Sequence, residues 1–135
     1  MLMAIAGNYY TIQLGPSHLG WGNHRYTNTR DIIYGEGYIP LPKRYARSFN
    51  IYNSNNPITG LSYNLFRASS VDGFLNNVPL LAQGCSTAGD VYAKQFSVQG
   101  DLTMIGAWYA SQNVTTNNSV RVTWTSPTDI LLEII

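Results

Sequence analysis

Two histidines, one cysteine and seven carboxylates are the whole stock from which this chain could build a catalytic or metal site, and their spacing assembles neither. Asp90 and Lys94 hint at a metal-dependent nuclease, but that chemistry needs a second acid two positions before the lysine, where Tyr92 stands. His18 and His24 are too few for a histidine-rich metal centre, and Cys85 alone cannot complete a zinc set. Cys85 sits in a glycine-flanked loop with no sequence-visible activating pair, so a free thiol of no catalytic role is expected. No His-x-Lys pair, glycine-rich phosphate loop or Gly-x-Ser-x-Gly elbow occurs. The expectation is a binding domain without cofactor or metal, rather than an enzyme acting alone.

The cations and aromatic rings carry more information. Between Ser17 and Arg67 stand the bases Arg25, Arg30, Lys43, Arg44, Arg47 and Arg67 against only Asp31 and Glu36, while the chain as a whole has a net charge of +1. That balance excludes a nonspecific polycation and points to an anionic partner on one face. Ten tyrosines and three tryptophans exceed the needs of a core this size, so some rings belong at the surface, where a flat face with a polar tip suits recognition. The segment Gly15 to Gly37 has little periodicity yet holds His18, Trp21, His24, Arg25, Tyr26 and Arg30, poor material for a passive linker. Trp21, between Gly20 and Gly22, reads first as a loop anchor, with stacking on a base or sugar face as the alternative.

The elements that must position these groups are mostly strands. The length of 135 residues, 44% of them hydrophobic and 11% charged, fits one domain spanning 1–135 with a single core. From Asp101 to Asn113, Leu102, Ile105, Trp108 and Tyr109 recur at helical spacing. Directly after, Val120, Val122 and Trp124 alternate with polar residues, Ser126-Pro127-Thr128-Asp129 turns the chain, and Ile130, Leu132 and Ile134 alternate again. A short helix that plugs a barrel end and hands over to its last hairpin has this pattern. Upstream, strands are expected at 9–14, 61–68, 78–83 and 91–98, with a strand end near Ile39 leading through Pro42 into a helix. In that helix Leu41, Tyr45 and Phe49 form the buried stripe, and Lys43, Arg44 and Arg47 face solvent. The order is β, long arm, β, α, β, β, second arm, β, α, β, β, a mainly β fold.

A single cysteine favours a reducing compartment, and the cytoplasm is the expected location. The apolar start, Met1 to Gly7, lacks a basic region and is too short for a signal peptide or a membrane span. Two glycosylation-type triplets, at Asn113 and Asn117, are therefore expected to be chance matches.

Tyr38-Ile39-Pro40-Leu41-Pro42-Lys43-Arg44-Tyr45-Ala46 resembles the IP-x-x-(F/Y)-A opening of the first helix in B3-type DNA-binding pseudobarrels. Gly106-Ala107-Trp108-Tyr109, then Asn113-Val114, a polar turn and Val120-Arg121-Val122, is similar to that family's GW-x-x-F…N-x-L-x-x-GD-x-V-x-F ending. Ala107 is inserted between Gly106 and Trp108, and Asn117-Asn118-Ser119 stands where the family has Gly-Asp, asparagine being tolerant of a left-handed turn. The resemblance runs from about Tyr9 to Ile134. It is nearest to the B3-like specificity domain of bacterial restriction endonucleases, including those with a phospholipase D-type nuclease domain.

The resemblance implies a seven-stranded open pseudobarrel with two short helices. It also implies two arms that enter the major groove of double-stranded DNA, one within His18–Arg30 and one within Gly84–Gln95. Base reading needs paired donors or acceptors. The first arm offers Asn23, His24, Arg25, Tyr26, Asn28 and Arg30, with Trp21 beside them; the second offers Ser86, Thr87, Asp90, Tyr92, Lys94 and Gln95. Lys43, Arg44 and Arg47 are placed to contact phosphate. The expected function is sequence-specific binding of duplex DNA, with cleavage supplied by a separate nuclease domain or chain and no membrane involved. The competing expectation is a small β-barrel that binds carbohydrate or protein through exposed Tyr and Trp.

Overall fold

Residues of alternating character become strands throughout residues 4–19, 37–52, 63–83 and 92–135, the parts of the chain that a computed structural model describes. They run as β1 (Tyr9–Gln13), a one-turn α1 (Pro16–Leu19), β2 (Ile39–Pro40), α2 (Lys43–Ser48), β3 (Leu65–Ser70), β4 (Val78–Gln83), β5 (Gln95–Val98), α3 (Met104–Ser111), β6 (Ser119–Ser126) and β7 (Asp129–Ile134). The seven strands form one open sheet in the order β1-β6-β7-β3-β4-β5-β2. β3 and β7 pair in parallel and the other neighbours antiparallel, so the sheet is mixed. The mainly β architecture and the order of strands and main helices are those expected from the sequence.

Burial follows the period of two. In β6, Val120, Val122 and Trp124 are buried while Arg121 and Thr125 are exposed; in β7, Ile130 and Leu132 are buried and Leu131 is exposed. Tyr10 in β1 and Leu14 just after it lie within the core. Trp124 is the centre of that core, with Tyr10, Phe49, Phe66 and Phe96 around it at ring distances of 6.3, 5.1, 5.8 and 6.4 Å. Tilted and edge-on rings at this range gain about 0.5–1.5 kcal/mol per pair beyond area burial.

Both longer helices stop on an asparagine. Asn50 and Asn113 adopt left-handed φ values of 53° and 52°. After α2, Asn50 N–H donates to the Arg47 carbonyl (3.3 Å) and Ile51 N–H to the Ala46 carbonyl (2.8 Å). After α3, Asn113 N–H donates to Ala110 (3.2 Å) and Val114 N–H to Tyr109 (3.0 Å). This paired closure satisfies carbonyls that a helix end leaves open. Left-handed asparagines thus lie at the two helix ends and, at Asn77, just before β4, and neither Asn117 nor Asn118 takes a positive φ, contrary to the expectation drawn from the resemblance.

Two strand starts and one short helix differ from the sequence reading. β3 begins at Leu65 because Tyr63 and Asn64 turn, the Asn64 carbonyl accepting Ala82 N–H at 2.8 Å. β5 begins at Gln95 because Tyr92 forms an isolated bridge to Tyr52 and Ala93 N–H donates to the Ile51 carbonyl at 3.1 Å, partners outside β4. α1 was not expected: it opens on Pro16, and the His18 Nδ1 reaches back to accept Gly15 N–H at 2.8 Å, closing the turn in the manner of a capping box.

Candidate nucleic-acid interface

α2 sorts its residues by face. Pro42 precedes it with φ −59°, a value the pyrrolidine ring already imposes, so proline stands just outside the first turn rather than within it. Leu41 and Ala46 are fully buried, and Tyr45 stacks between Tyr10 (5.0 Å) and Phe49 (6.0 Å), which carries the helix onto the Trp124 cluster. That leaves Lys43, Arg44, Arg47 and Ser48 exposed. Arg44 lies over the Tyr45 ring at 4.9 Å and Arg47 over the Tyr92 ring at 5.9 Å.

The stretch 92–95 is held against this helix by backbone bonds. Leu41 N–H donates to the Lys94 carbonyl at 2.9 Å, and Lys94 N–H to the Gln83 carbonyl at 2.7 Å. Tyr52 and Tyr92 stack at 5.8 Å with an interplanar angle of 16°. Gln95 pairs with Pro40 on one side and Gln83 on the other. Lys43, Arg44, Arg47, Tyr92, Lys94 and Gln95 therefore share one rim at the junction of β2, α2 and β5. The other expected contacts, Trp21, Asn23, His24, Arg25, Tyr26, Asn28, Arg30, Ser86, Thr87 and Asp90, lie outside the described residues.

β5 also supports the flanks of both expected arms. Ile39, just after the segment 20–36, pairs with Phe96; Gln83, just before the segment 84–91, pairs with Gln95. Gly37 makes the approach to α3 possible: a Cβ there would stand 2.8 Å from the Gly106 nitrogen and 2.9 Å from its Cα. Tyr38 N–H donates to the His18 carbonyl at 3.0 Å, joining the two flanks of segment 20–36. His18 is itself half-buried, burial holds its pKa below the ordinary imidazole value, and its Nδ1 is already an acceptor. Its role is to close a turn.

The described arginines fall into two kinds. Arg67 donates to both carboxylate oxygens of Asp129 (3.1 and 3.3 Å) and to Thr128 (3.0 Å), and Arg121 pairs with Glu133 at 3.6 Å. Hydrogen bonds from Ser126, then Thr128 and Arg67, hold the Asp129 pKa down at about 2. Arg67 thus leaves the basic excess counted along the sequence, because an acid far downstream compensates it. Arg44 and Arg47 instead rest on rings, and among the described residues neither they nor Lys94 make an ion pair with a carboxylate. A ring holds a guanidinium in place without cancelling its charge.

A second feature, unforeseen from the sequence, lies between α3 and β7. A cleft of about 160 Å³ is lined by Val71, Asp72, Trp108, Gln112, Leu132, Glu133 and Ile134. Asp72 accepts hydrogen bonds from Ser70 Oγ, Trp108 Nε1 (3.1 Å) and Phe74 N–H (3.2 Å). Desolvation alone would raise its pKa, but these donors together outweigh it and hold the carboxyl below the ordinary range. Such a carboxylate clasps α3 to the β3–β4 connection. Among the described residues no three His, Cys, Asp or Glu gather as metal ligands would, and no helix is long and apolar enough to cross a membrane. Compared with protein-family models and with curated proteins, the chain matches none.

Proposed function

We propose that this chain binds double-stranded DNA sequence-specifically through two arms in the major groove, as the target-recognition module of a restriction endonuclease or a stand-alone relative with a B3-like fold. The observation that carries the reading is the rim formed by Lys43, Arg44, Arg47 and Lys94, where two arginines are fixed on tyrosine faces while the arginines of the sheet are compensated by Asp129 and Glu133. Fixed positive charge beside the flanks of both arms suits phosphate contacts that set register, leaving base edges to the arms. Lys43, Arg44 and Arg47 take the phosphate role. The arms supply readers: Arg25 and Arg30 for guanine, Asn23, Asn28 and Gln95 for adenine, and Asp90 for cytosine, with His24, Ser86, Thr87 and Lys94 as further donors. Cleavage comes from another domain or chain.

Selection from random duplexes, followed by titration at several salt concentrations, tests this. An enriched motif is expected, with affinity falling steeply as salt rises; phosphate contacts from Lys43, Arg44 and Arg47 give a log–log slope of about −3. Lys94→Ala and Arg25→Ala should relax selectivity more than they weaken binding to unselected DNA. No enriched sequence, or binding indifferent to salt, overturns the reading, and a salt-indifferent hit on a glycan array replaces it with the carbohydrate-binding alternative.

A further inference from the structure

We propose that the cleft between α3 and β7 anchors a lysine side chain of a partner polypeptide, with Asp72 as its counter-ion and the end of β7 pairing with the backbone beside that lysine. The site shares no residue with the rim around α2, so the inference stands apart from the DNA-binding reading. At about 160 Å³ the cleft holds one side chain, against the ~300–1,000 Å³ of pockets that take whole small molecules. Val71, Leu132 and Ile134 give it apolar walls suited to a methylene stem, and Asp72 and Glu133 border it with carboxylates. Glu133 is already paired with Arg121 at 3.6 Å. Among the described residues no cation pairs with Asp72, whose hydrogen-bond donors outweigh desolvation and keep it ionised.

The hydrogen bonds on Asp72 select the kind of cation. Its Oδ1 accepts Ser70 Oγ and Phe74 N–H, and its Oδ2 accepts Trp108 Nε1 at 3.1 Å. A carboxylate oxygen has room for about two such bonds, so one position is left, on Oδ2. A single position suits the point charge of an ammonium, whereas the forked guanidinium of arginine is best met by two oxygens.

The strand ladder argues for a polypeptide. Ser119 and Ile135 exchange both backbone bonds (3.1 and 2.8 Å), so by alternation Ile134 turns its N–H and C=O away from β6, toward the β3 side. β3 leaves β7 once Val71 N–H has donated to the Leu132 carbonyl at 2.9 Å. Beyond that bond the backbone of Ile134 borders the cleft without a partner among the described residues, an open edge of the kind to which an extended peptide adds. Val71 and Phe74, on either side of Asp72, are exposed and offer apolar contact to the residues flanking the lysine.

Nuclear magnetic resonance titration of the full chain tests this, with a capped tripeptide of valine, lysine and valine as the probe. The Trp108 indole and Ile134 amide resonances should move together and saturate with a Kd of about 1 mM. Uncharged norleucine in place of the lysine should weaken binding about 10-fold, and arginine about 5-fold. n-Butylamine, an ammonium and stem without a peptide backbone, should move the indole and leave the Ile134 amide in place. Asp72→Asn, which keeps an acceptor for Trp108, should weaken the lysine peptide about 10-fold. An indole that stays in place up to about 20 mM peptide, norleucine or arginine binding as well as lysine, n-butylamine moving both resonances alike, or a folded Asp72→Asn chain binding like wild type each overturn the proposal. The ligand series on wild type uses no variant, so it decides the matter even where Asp72→Asn fails to fold.

Discussion

Tyr10 on β1 donates its hydroxyl to the Pro40 carbonyl on β2 at 2.9 Å, joining the two edge strands of the sheet through a side chain where no backbone ladder connects them. Tyr109 on α3 makes the parallel contact one step away, its hydroxyl donating to the Tyr38 carbonyl at 2.7 Å. β2 contributes only Ile39 and Pro40 to the sheet, so these two phenols hold a strand too short to hold itself. Tyr10→Phe and Tyr109→Phe should each lower unfolding free energy by about 1–3 kcal/mol, because each removes the phenol from a carbonyl in a setting that is buried at Tyr38 and part-buried at Pro40. Urea denaturation measures the loss. A change below about 0.3 kcal/mol in both would show that the phenols do not hold the seam.

The same phenols should make the fold sensitive to alkali. Burial, the larger cause, raises the pKa of both Tyr10 and Tyr109 well above the ordinary phenol value, and Tyr109 adds a smaller upward push on Tyr10. With the folded pKa above the unfolded one, the folded state keeps a proton that the unfolded state releases. The stabilisation is complete below about pH 10 and is lost as pH climbs from there, with a limiting slope of about 1.4 kcal/mol per pH unit for each tyrosine. Denaturation midpoints measured from pH 8 to 12 should stay level and then fall, and Tyr10→Phe should make the fall shallower. Midpoints that stay level to pH 12 would count against buried phenols.

Legibility in the sequence tracks how local each relationship is. Val120, Val122 and Trp124, and the stripe Leu41, Tyr45 and Phe49, show themselves because burial on one face imposes its period on neighbouring residues. The same local rule marks Lys43, Arg44 and Arg47 as solvent-facing. What stays hidden is partnership across the sheet. Arg67 meets Asp129 across 62 residues and Trp108 meets Asp72 across 36, and nothing near any of them announces the other. Counting charge along the chain therefore overstated the basic excess by including Arg67, and no reading of Arg47 by itself would have found Tyr92. α1 stayed hidden for a different reason: a single turn gives periodicity no length in which to appear.

Gly37 should tolerate no side chain. Both atoms that a Cβ would strike, the Gly106 nitrogen and Cα, are helix backbone, which cannot swing aside as a side-chain tip can. Gly37→Ala must move α3 away from the start of β2, stretching the bond between Gly37 N–H and the Leu102 carbonyl, now 3.3 Å. A loss of about 1–3 kcal/mol is expected, as for overpacking elsewhere, and Gly37→Val should cost more. Gly73→Ala is the contrasting case. No atom lies within 4 Å of its would-be Cβ, so its cost comes from the positive φ of 83° and not from contact. Thermal melts that rank Gly37→Ala as harmless would mean that the helix and strand do not sit this close.

If the chain binds DNA as proposed, charge alone should not predict which arginines matter. Arg67 is as exposed as a phosphate-binding residue needs to be, with its side chain 50% accessible, yet Asp129 already engages it through two oxygens. A phosphate would have to displace that carboxylate before gaining anything, and the field beyond the pair is close to neutral. Arg44 meets no such competitor in Tyr45, whose ring attracts the cation without cancelling its charge. Lys43→Ala combined with Arg44→Ala should weaken binding to every duplex and reduce the salt slope by about two. Arg67→Ala should leave the slope unchanged within about 0.3, although it removes the same formal charge as either single substitution. Fluorescence anisotropy over a salt series separates the two outcomes. If Arg67→Ala flattens the slope as much as Arg44→Ala does, the bound DNA reaches the β3–β7 surface, and the rim around α2 is not where the phosphates lie.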